Sequence, residues 1–390
     1  MKKILFCICL FISGFQAFCQ SSGSDTTLPN FFLHRIRELQ ASQHADILPG
    51  LFYSYISSNE TFSTKRTDEN IFYNGLISYT LRDISPKLTD QNRELVDSIL
   101  QNAIPAFDKF KNTKGRNTYN FWRTDTSFEF PYTWWIKLLR GQVTLPDDMD
   151  DTSLGLLALQ ASPSISSEVH SLMAKFINDS LHDLRNGLSY FKNYAAYSTW
   201  FGKNFPVVID ACVLTNILSF VQLNDLPWNS ADSASLQLIL RIIDTKDYIK
   251  NPLQVSPYYG KPSIFLYNLA RLMSIKQISA LESRKMDLIT EAALELAHSS
   301  NMMEQILLSS AILKWGYIPP PIETLSPNVI KKIIEENNFA FFIGNIPSYL
   351  PSTLRKIIMH KNDGLFYHYC PAYNLTLLLE YVTLSEDATK

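Results

Sequence analysis

An acidic run in the first half of the chain has the residue types and the spacing that acid chemistry needs. Asp147, Asp148, Asp150 and Asp151 place four carboxyls within five residues, directly after Pro146 and directly before an apolar stretch. Carboxyls this close repel one another, and burial penalises their charged form, so the pKa of at least one is expected to rise. A carboxylic acid that stays neutral near pH 7 is a proton donor for an alkene or an epoxide.

The segment Asp148-Met149-Asp150-Asp151-Thr152 resembles the D-x-D-D-T motif of class II terpene cyclases, including squalene-hopene cyclases. In that family the middle aspartate is the general acid. The resemblance therefore implies that Asp150 is the proton donor and that Asp148 and Asp151 are its supporting carboxylates. It also implies the α/α-toroid fold of terpenoid cyclases and protein prenyltransferases, with a pocket whose aromatic faces stabilise carbocations by cation–π interaction.

Aromatic residues gather in the loops around the acidic run, and long loops in a compact domain usually carry function. Polar groups near or inside apolar helices, such as Asp210, find hydrogen-bond partners or face a cavity. On composition and position we predict a substrate-binding set of Tyr119, Trp122, Trp134, Trp135, Trp200, Asp210, Tyr258 and Tyr259.

Two other interpretations compete for the same carboxyls. Aspartates at a helix N-terminus cap free amide groups and oppose the helix dipole, which is a purely structural role. The run also resembles the D-D-x-x-D motif of class I enzymes, which implies a magnesium ion at Asp147, Asp148 and Asp151. The class I partner motif is not found in the sequence, so we favour the class II interpretation with no metal.

A zinc site is suggested by a third resemblance. Asp210-Ala211-Cys212 resembles the D-x-C pair of protein prenyltransferases, and the segment around His368 resembles the one that carries their zinc histidine. The interval between these segments is much longer than in that family, and on a regular helix Asp210 and Cys212 point about 200° apart. We therefore predict a buried cysteine and a hydrogen-bonded histidine.

Helices are the elements that must position these residues. Apolar side chains cover two adjacent stripes of Ile71–Ile84 but only one side of Leu95–Phe107, as expected when inner helices are wrapped by outer ones. Strictly alternating runs are almost absent, so we predict an all-α fold, an α/α toroid built from helical hairpins. Further helices are predicted at Thr152–Gln160, Ser166–Asp179, Pro206–Gln222, Ala231–Ile243, Ser263–Ser274, Arg284–His298, Met302–Lys314, Pro327–Glu336 and Ala372–Leu384.

The N-terminus has the pattern of an export signal. Two lysines precede an apolar stretch, and Ala17-Phe18-Cys19 resembles a signal-peptidase site. We predict a signal peptide at 1–19, a helical lead-in at 20–69 and a single toroid domain at 70–390, with the periplasm favoured over a lipid anchor. Cys212 and Cys370 would then remain, either as one disulfide or as two buried thiols.

Composition narrows the possible partners. Of the 390 residues 46% are hydrophobic and 18% charged, with a formal net charge of −2 and no basic run, which argues against nucleic acid. No later window has the ~20 apolar residues of a membrane span. We predict an exported protein in which Asp150 protonates an isoprenoid-type apolar substrate. The alternative is a non-catalytic envelope protein that binds a lipid or a protein partner.

Overall fold

The computed structural model describes residues 27–60, 65–125, 145–179, 184, 186–202, 205–320, 322, 339–349 and 364–389. The predicted signal peptide at 1–19, the predicted helix at 327–336, and Trp134 and Trp135 lie outside these residues.

Helices account for most of the described chain, as predicted. Single turns at Asp247–Lys250, Pro252–Val255 and Ser279–Glu282 and short 3-10 segments connect the longer ones. The main helices are α1 Leu28–Glu38, α2 Phe72–Ile84, α3 Asp90–Ala103, α4 Met149–Ala158, α5 Pro163–Met173, α6 Ala211–Leu223, α7 Ser230–Thr245, α8 Pro262–Ile275, α9 Lys285–His298, α10 Met302–Lys314 and α11 Pro371–Ala388.

Six of these helices contact one another in a closed series. Helix α2 packs against α4, α4 against α6, α6 against α8, α8 against α10, α10 against α11, and α11 against α2. We call these six the central helices. They are buried on most sides, as shown by α6, which buries 11 of its 13 residues. Helix α9 packs against α8 and α10 and buries only three of its 14 residues, so it is much less buried than the central helices.

The first residues of the central helices satisfy the free amide groups there. Asp148 caps α4, Asp210 caps α6 and Asn301 caps α10, each through a side-chain oxygen that accepts two backbone N–H bonds. Helices α8 and α11 instead begin at Pro262 and Pro371. Proline has no backbone N–H, so no acceptor is needed at these positions. Polar and acidic side chains are therefore concentrated at the starts of the central helices.

A four-stranded antiparallel sheet accompanies the helices, which corrects the all-α prediction. The strands are β1 Ser54–Ser57, β2 Lys65–Asp68, β3 Phe342–Asn345 and β4 Leu365–Tyr369, in the order β2-β1-β4-β3. Each has only four or five residues, and every residue of β4 is buried. Such strands lack the alternation of polar and apolar residues that indicates a half-buried strand, so the sequence pattern did not reveal them.

The lead-in segment is an integral part of the fold. Helix α1 buries Phe32, Leu33 and Ile36 completely and packs against α11 and α3. Strand β1 pairs with β4, so residues from both ends of the described chain share the sheet as well as the main hydrophobic cluster. Within the described ranges, no helix has both the length and the apolar character needed to cross a membrane.

Candidate functional site

The aspartates of the D-x-D-D-T segment lie inside the protein. Asp148 is 5% exposed, and Asp150 and Asp151 are each 2% exposed, all at the first turn of α4. A solvated acidic patch would leave the carboxyl pKa values near their usual range. Burial instead raises all three, so the prediction that at least one carboxyl titrates abnormally agrees with the structure.

Asp148 is the cap of α4. Its Oδ1 accepts the backbone N–H of Asp150 at 2.5 Å and that of Asp151 at 3.2 Å. Burial, followed by the neighbouring charge of Asp150, raises the pKa of Asp148 well above its usual value. The capping interpretation is therefore correct for Asp148, but it does not account for the side chains of Asp150 and Asp151.

Asp150 is held by two side-chain donors from neighbouring elements. Asn216 of α6 donates its Nδ2 to Oδ1 at 2.6 Å, and the hydroxyl of Tyr259, just before α8, donates to Oδ2. Arg271 of α8 donates in turn to Oδ1 of Asn216. Burial raises the pKa of Asp150 to about 6, against the opposing effects of Tyr259, Asn216 and Arg271. The carboxyl can therefore gain or lose a proton near neutral pH.

Asp151 has a different environment. Neither of its carboxyl oxygens has a hydrogen-bond partner among the described residues, although the side chain is buried. Burial, with the adjacent Asp148 and Asp150, raises the pKa of Asp151 well above its usual value. An ionised carboxylate without a partner is very costly in the interior, so Asp151 is expected to remain neutral.

An aromatic cluster adjoins Asp150 through the ring of Tyr259. Phe342, the first residue of β3, is half-buried and lies at its centre. Its ring centroid is 4.8 Å from that of Phe72, 5.2 Å from His368 and 6.0 Å from Tyr259. We use the term aromatic cluster for Phe72, Phe121, Tyr258, Tyr259, Phe342 and His368.

The predicted substrate-binding aromatic residues are only partly brought together. Tyr258 and Tyr259 belong to the aromatic cluster, and Trp200 donates its Nε1–H to the hydroxyl of Tyr258 at 3.2 Å. Trp122 lies edge-on to Phe121 of the cluster at 5.1 Å. Tyr119 instead packs on Phe107, and its backbone N–H donates to Thr152 at the start of α4.

Asp210 positions the loop that leads into α8. Its side chain caps α6 through the N–H of Cys212 at 2.8 Å and also accepts from Ser256 Oγ at 2.5 Å and from the N–H of Tyr258 at 2.8 Å. Burial raises the pKa of Asp210 to about 7, although the hydrogen bond from Ser256 and those from the backbone oppose the rise. Asp210 therefore fixes the loop that carries Tyr258 and Tyr259.

The substitution Asp210→Ala should destabilise the protein by about 3 kcal/mol, because it removes a helix cap and leaves the buried Ser256 hydroxyl and Tyr258 N–H without an acceptor. The matched control is Asn301→Ala, which removes only the cap of α10 and should cost about 1 kcal/mol. Urea denaturation followed by circular dichroism measures both. Equal costs for the two variants would contradict the positioning role of Asp210.

The magnesium alternative does not fit the arrangement of the carboxyls. Asp147 Oδ2 accepts hydrogen bonds from Asn112 at 2.6 Å, Arg116 at 2.9 Å and Thr118 at 2.5 Å, whereas Asp148 caps α4. Asp147 and Asp148 are thus each engaged by different partners, and neither carboxyl is directed to a site shared with Asp151. Among the residues described, no group of three or more His, Cys, Asp or Glu side chains has an arrangement that could hold a metal ion.

The zinc resemblance fails for the same reason. Asp210 is occupied as a cap, and Nδ1 of His368 lies 3.1 Å from Asp68. Cys212 and Cys370 are both free and buried, which resolves the question of a disulfide between them. Burial raises the pKa of the Cys212 thiol well above its usual value.

Arg271 is a site residue that the sequence analysis missed. It is 2% exposed, and its guanidinium lies over the rings of Tyr79 at 5.0 Å and Tyr267 at 5.6 Å. Its Nε and Nη1 have no hydrogen-bond partner among the described residues. The sequence feature that could have identified it is the presence of an arginine within the otherwise apolar helix predicted at Ser263–Ser274. The cation stabilises negative charge on Asp150 through Asn216.

A buried ion pair lies further along the same interior. Tyr267 donates to Oε2 of Glu380 at 2.7 Å, and Lys314 Nζ lies 2.9 Å from Glu380 Oε1 and 3.1 Å from Asp83 Oδ2. The side chains of Glu380 and Lys314 are 1% and 4% exposed, whereas that of Asp83 is 45% exposed. A polar network therefore runs from Arg271 to the protein surface.

Several central helices carry buried polar atoms without a protein partner. Among the described residues these include the hydroxyls of Ser78 on α2, Ser263 on α8, and Ser309 and Ser310 on α10. Buried hydroxyls are normally satisfied by protein groups or by ordered water. Ordered water or a bound polar group would therefore satisfy these hydroxyls.

Comparison of the chain with protein-family models, with curated proteins and with solved structures finds no match. The function is therefore inferred from the site itself.

Proposed function

We propose that this chain is an α/α-toroid protein. The support is the closed series of contacts made by the central helices, together with the packing of α1, α3, α7 and α9 against them from outside the series. A toroid places the starts of its inner helices around a common space. Hydrogen bonds between Asp150 at the start of α4 and Tyr259 before α8, and between Asp210 and Tyr258, agree with that placement.

We further propose that Asp150 protonates an isoprenoid-like apolar substrate, as the middle aspartate does in class II terpene cyclases. The observation that carries the proposal is a carboxyl that is buried beside an aromatic cluster, and burial raises its pKa to about 6. In the protonated state, Oδ2 of Asp150 gives its proton to an alkene carbon. The π electrons form the new C–H bond, and a carbocation remains on the substrate.

The neighbours of Asp150 stabilise the state that follows proton transfer. The carboxylate that forms accepts hydrogen bonds from Asn216 and Tyr259, and Arg271 lies behind Asn216. The carbocation meets the faces of Phe72, Phe121 and Phe342, where a cation–π interaction is strengthened by the exclusion of water. The hydrogen-bond donors around Asp150 thus stabilise the negative charge of the carboxylate, and the adjacent aromatic cluster stabilises the positive charge of the substrate.

Turnover should depend on pH through Asp150. Because the protonated form is the donor and its pKa is raised to about 6, the rate should fall about tenfold per unit as the pH rises above 6. Folding stability should move in the same direction: a carboxyl with a raised folded-state pKa favours the folded state at low pH, and this contribution is lost as pH rises from about 4 to about 6. A rate constant that does not change between pH 5 and 8 would contradict the assignment.

The direct test is incubation of the purified protein with squalene and a series of prenyl diphosphates in D2O, followed by mass spectrometry. Protonation by Asp150 predicts a cyclised or isomerised product that carries one deuterium, because the carboxyl proton exchanges with solvent. The proposed activity is wrong if no substrate in the series is converted.

A non-catalytic lipid-binding function is the second candidate. It is favoured by the buried hydroxyls on the central helices that have no partner among the described residues, which a bound molecule would satisfy. Native mass spectrometry showing a co-purified lipid, without conversion in the assay above, would support this function instead. For either function we propose export to the periplasm, where the substrate or lipid would be membrane-derived.

A further inference from the structure

Asp68 and His368 form a buried pair next to the aromatic cluster. Asp68, the last residue of β2, is 2% exposed and accepts a hydrogen bond from His368 Nδ1 at 3.1 Å. It also accepts from Trp122 Nε1 at 3.0 Å and from Asn70 Nδ2 at 2.7 Å. Burial raises the pKa of Asp68, but these hydrogen bonds, together with the charge that His368 carries when its ring is protonated, outweigh that effect, so the pKa is lowered. Asp68 is therefore ionised.

An ionised Asp68 determines which nitrogen of His368 carries the proton. The carboxylate holds a proton on Nδ1, so in the neutral ring Nε2 presents a lone pair. The backbone at this position is also fixed, because the hydroxyl of Tyr73 donates to the carbonyl oxygen of His368 at 2.6 Å. A carboxylate that orients an imidazole in this way is the arrangement of a general base.

The open nitrogen adjoins a position without a side chain. A Cβ atom on Gly344 of the neighbouring strand β3 would lie 3.3 Å from Nε2 of His368. A side chain at this position would crowd the imidazole, so glycine allows Nε2 to lie close to strand β3. The imidazole ring itself meets Phe121 edge-on at 5.3 Å and Phe342 at 5.2 Å, within the aromatic cluster.

We propose that Nε2 of His368 is the base that ends the reaction, by removing a proton from the carbocation that Asp150 generates. This inference rests on the proposed function. Phe342 contacts both the ring of Tyr259, which binds Asp150, and the ring of His368. Phe342 therefore connects the surroundings of the acid with those of the base.

The two proton transfers balance. Asp150 supplies a proton, which forms a C–H bond at one alkene carbon. His368 then takes a proton from a carbon adjacent to the cation, and the electrons of that C–H bond form a new alkene. The product is an isomer of the substrate, formed without added water and without an oxidant. His368 returns its proton to solvent, from which Asp150 is reprotonated.

A second buried histidine pair provides a control. His170 lies 2.9 Å from Asp232 through Nε2, and the same nitrogen is 3.0 Å from Asn229 and 3.4 Å from the hydroxyl of Tyr197. These contacts join α5 to the capping box of α7. The ring nitrogen that faces the carboxylate there is surrounded by polar partners, and these contacts of His170 within the described ranges do not include the aromatic cluster. His170 thus has a structural role.

The test compares His368→Gln with His170→Gln in the conversion assay. We expect His368→Gln to lower formation of the wild-type alkene at least about 100-fold and to shift the products toward alcohols or other alkene isomers, because the cation still forms but lacks its base. His170→Gln should leave the ratio of products unchanged. An unaltered rate and product ratio in His368→Gln would overturn the inference while leaving the proposed function intact.

Two other results of this experiment also have a definite interpretation. If His368→Gln does not fold by circular dichroism, the product ratio of Asp68→Asn decides instead: a shift toward alcohols supports the base, and an unchanged ratio overturns it. If the wild-type protein converts no substrate, the proposed function and this inference both fail. Wild-type conversion together with unaltered products in a folded variant refutes the base alone.

Discussion

The substitution Asp150→Asn should abolish turnover, with a loss of at least about 10³-fold, while the protein stays folded. Asparagine has the same shape as aspartate, and its amide can hydrogen-bond to both Asn216 and Tyr259. It has no acidic proton to give to an alkene. Deuterium incorporation into product and total conversion in D2O measure the effect, and circular dichroism confirms the fold.

The matched control is Asp147→Asn in the same acidic run. Asp147 forms its contacts with Arg116, Asn112 and Thr118 and none with Asp150, so turnover should stay within about threefold of wild type. Retention of more than a tenth of the wild-type rate by Asp150→Asn would show that another group supplies the proton. An equal loss in both variants would point to a general effect of the acidic run on folding.

The substitution Lys314→Met should destabilise the protein by about 3–5 kcal/mol, the largest stability change we expect from a single side chain. Glu380 is 1% exposed, and Lys314 is its only cationic ion-pair partner among the described residues. Removing the lysine leaves a buried carboxylate whose remaining hydrogen-bond donor among the described residues is the Tyr267 hydroxyl. Urea denaturation followed by circular dichroism measures the change in the free energy of unfolding.

Two companion variants separate burial from charge. The exposed pair Lys87–Asp387 has side chains 40% and 45% exposed, so Lys87→Met should cost less than about 1 kcal/mol. The double variant Lys314→Met with Glu380→Met should recover at least about half of the loss, because it removes the unpaired charge. If Lys314→Met lowers the free energy of unfolding no more than Lys87→Met does, the buried ion pair contributes no more to stability than an exposed ion pair.

The helices could be predicted from the sequence because their stability depends on local periodicity. Met302–Lys314 was predicted with the bounds that the structure gives, and Ile71–Ile84 differs from α2 by one residue. The sheet could not be predicted because its pairing is non-local: β1 near residue 55 pairs with β4 near residue 369. Strands of four or five residues are also too short to show a recognisable alternation of polar and apolar side chains.

The candidate site divides in the same way. One short sequence motif contains Asp148, Asp150 and Asp151. These residues are buried because the helix that they begin is apolar. Asn216 and Arg271 join the site only through packing of separate helices. The pair Asp68 and His368 is separated by 300 residues. No spacing rule links such residues, so their association is visible only in three dimensions.

The position of the last helix also determines when the molecule can assemble during synthesis. Helix α11 contacts α10, α2 and α1, and β4 directly before it joins β1 to β3. The series of central helices and the sheet can therefore be completed only after almost the whole described chain has been made. Chains with such late, long-range contacts fold slowly, and a chain truncated before Leu365 would expose the apolar surfaces of α1, α2 and α10 to proteases and aggregation.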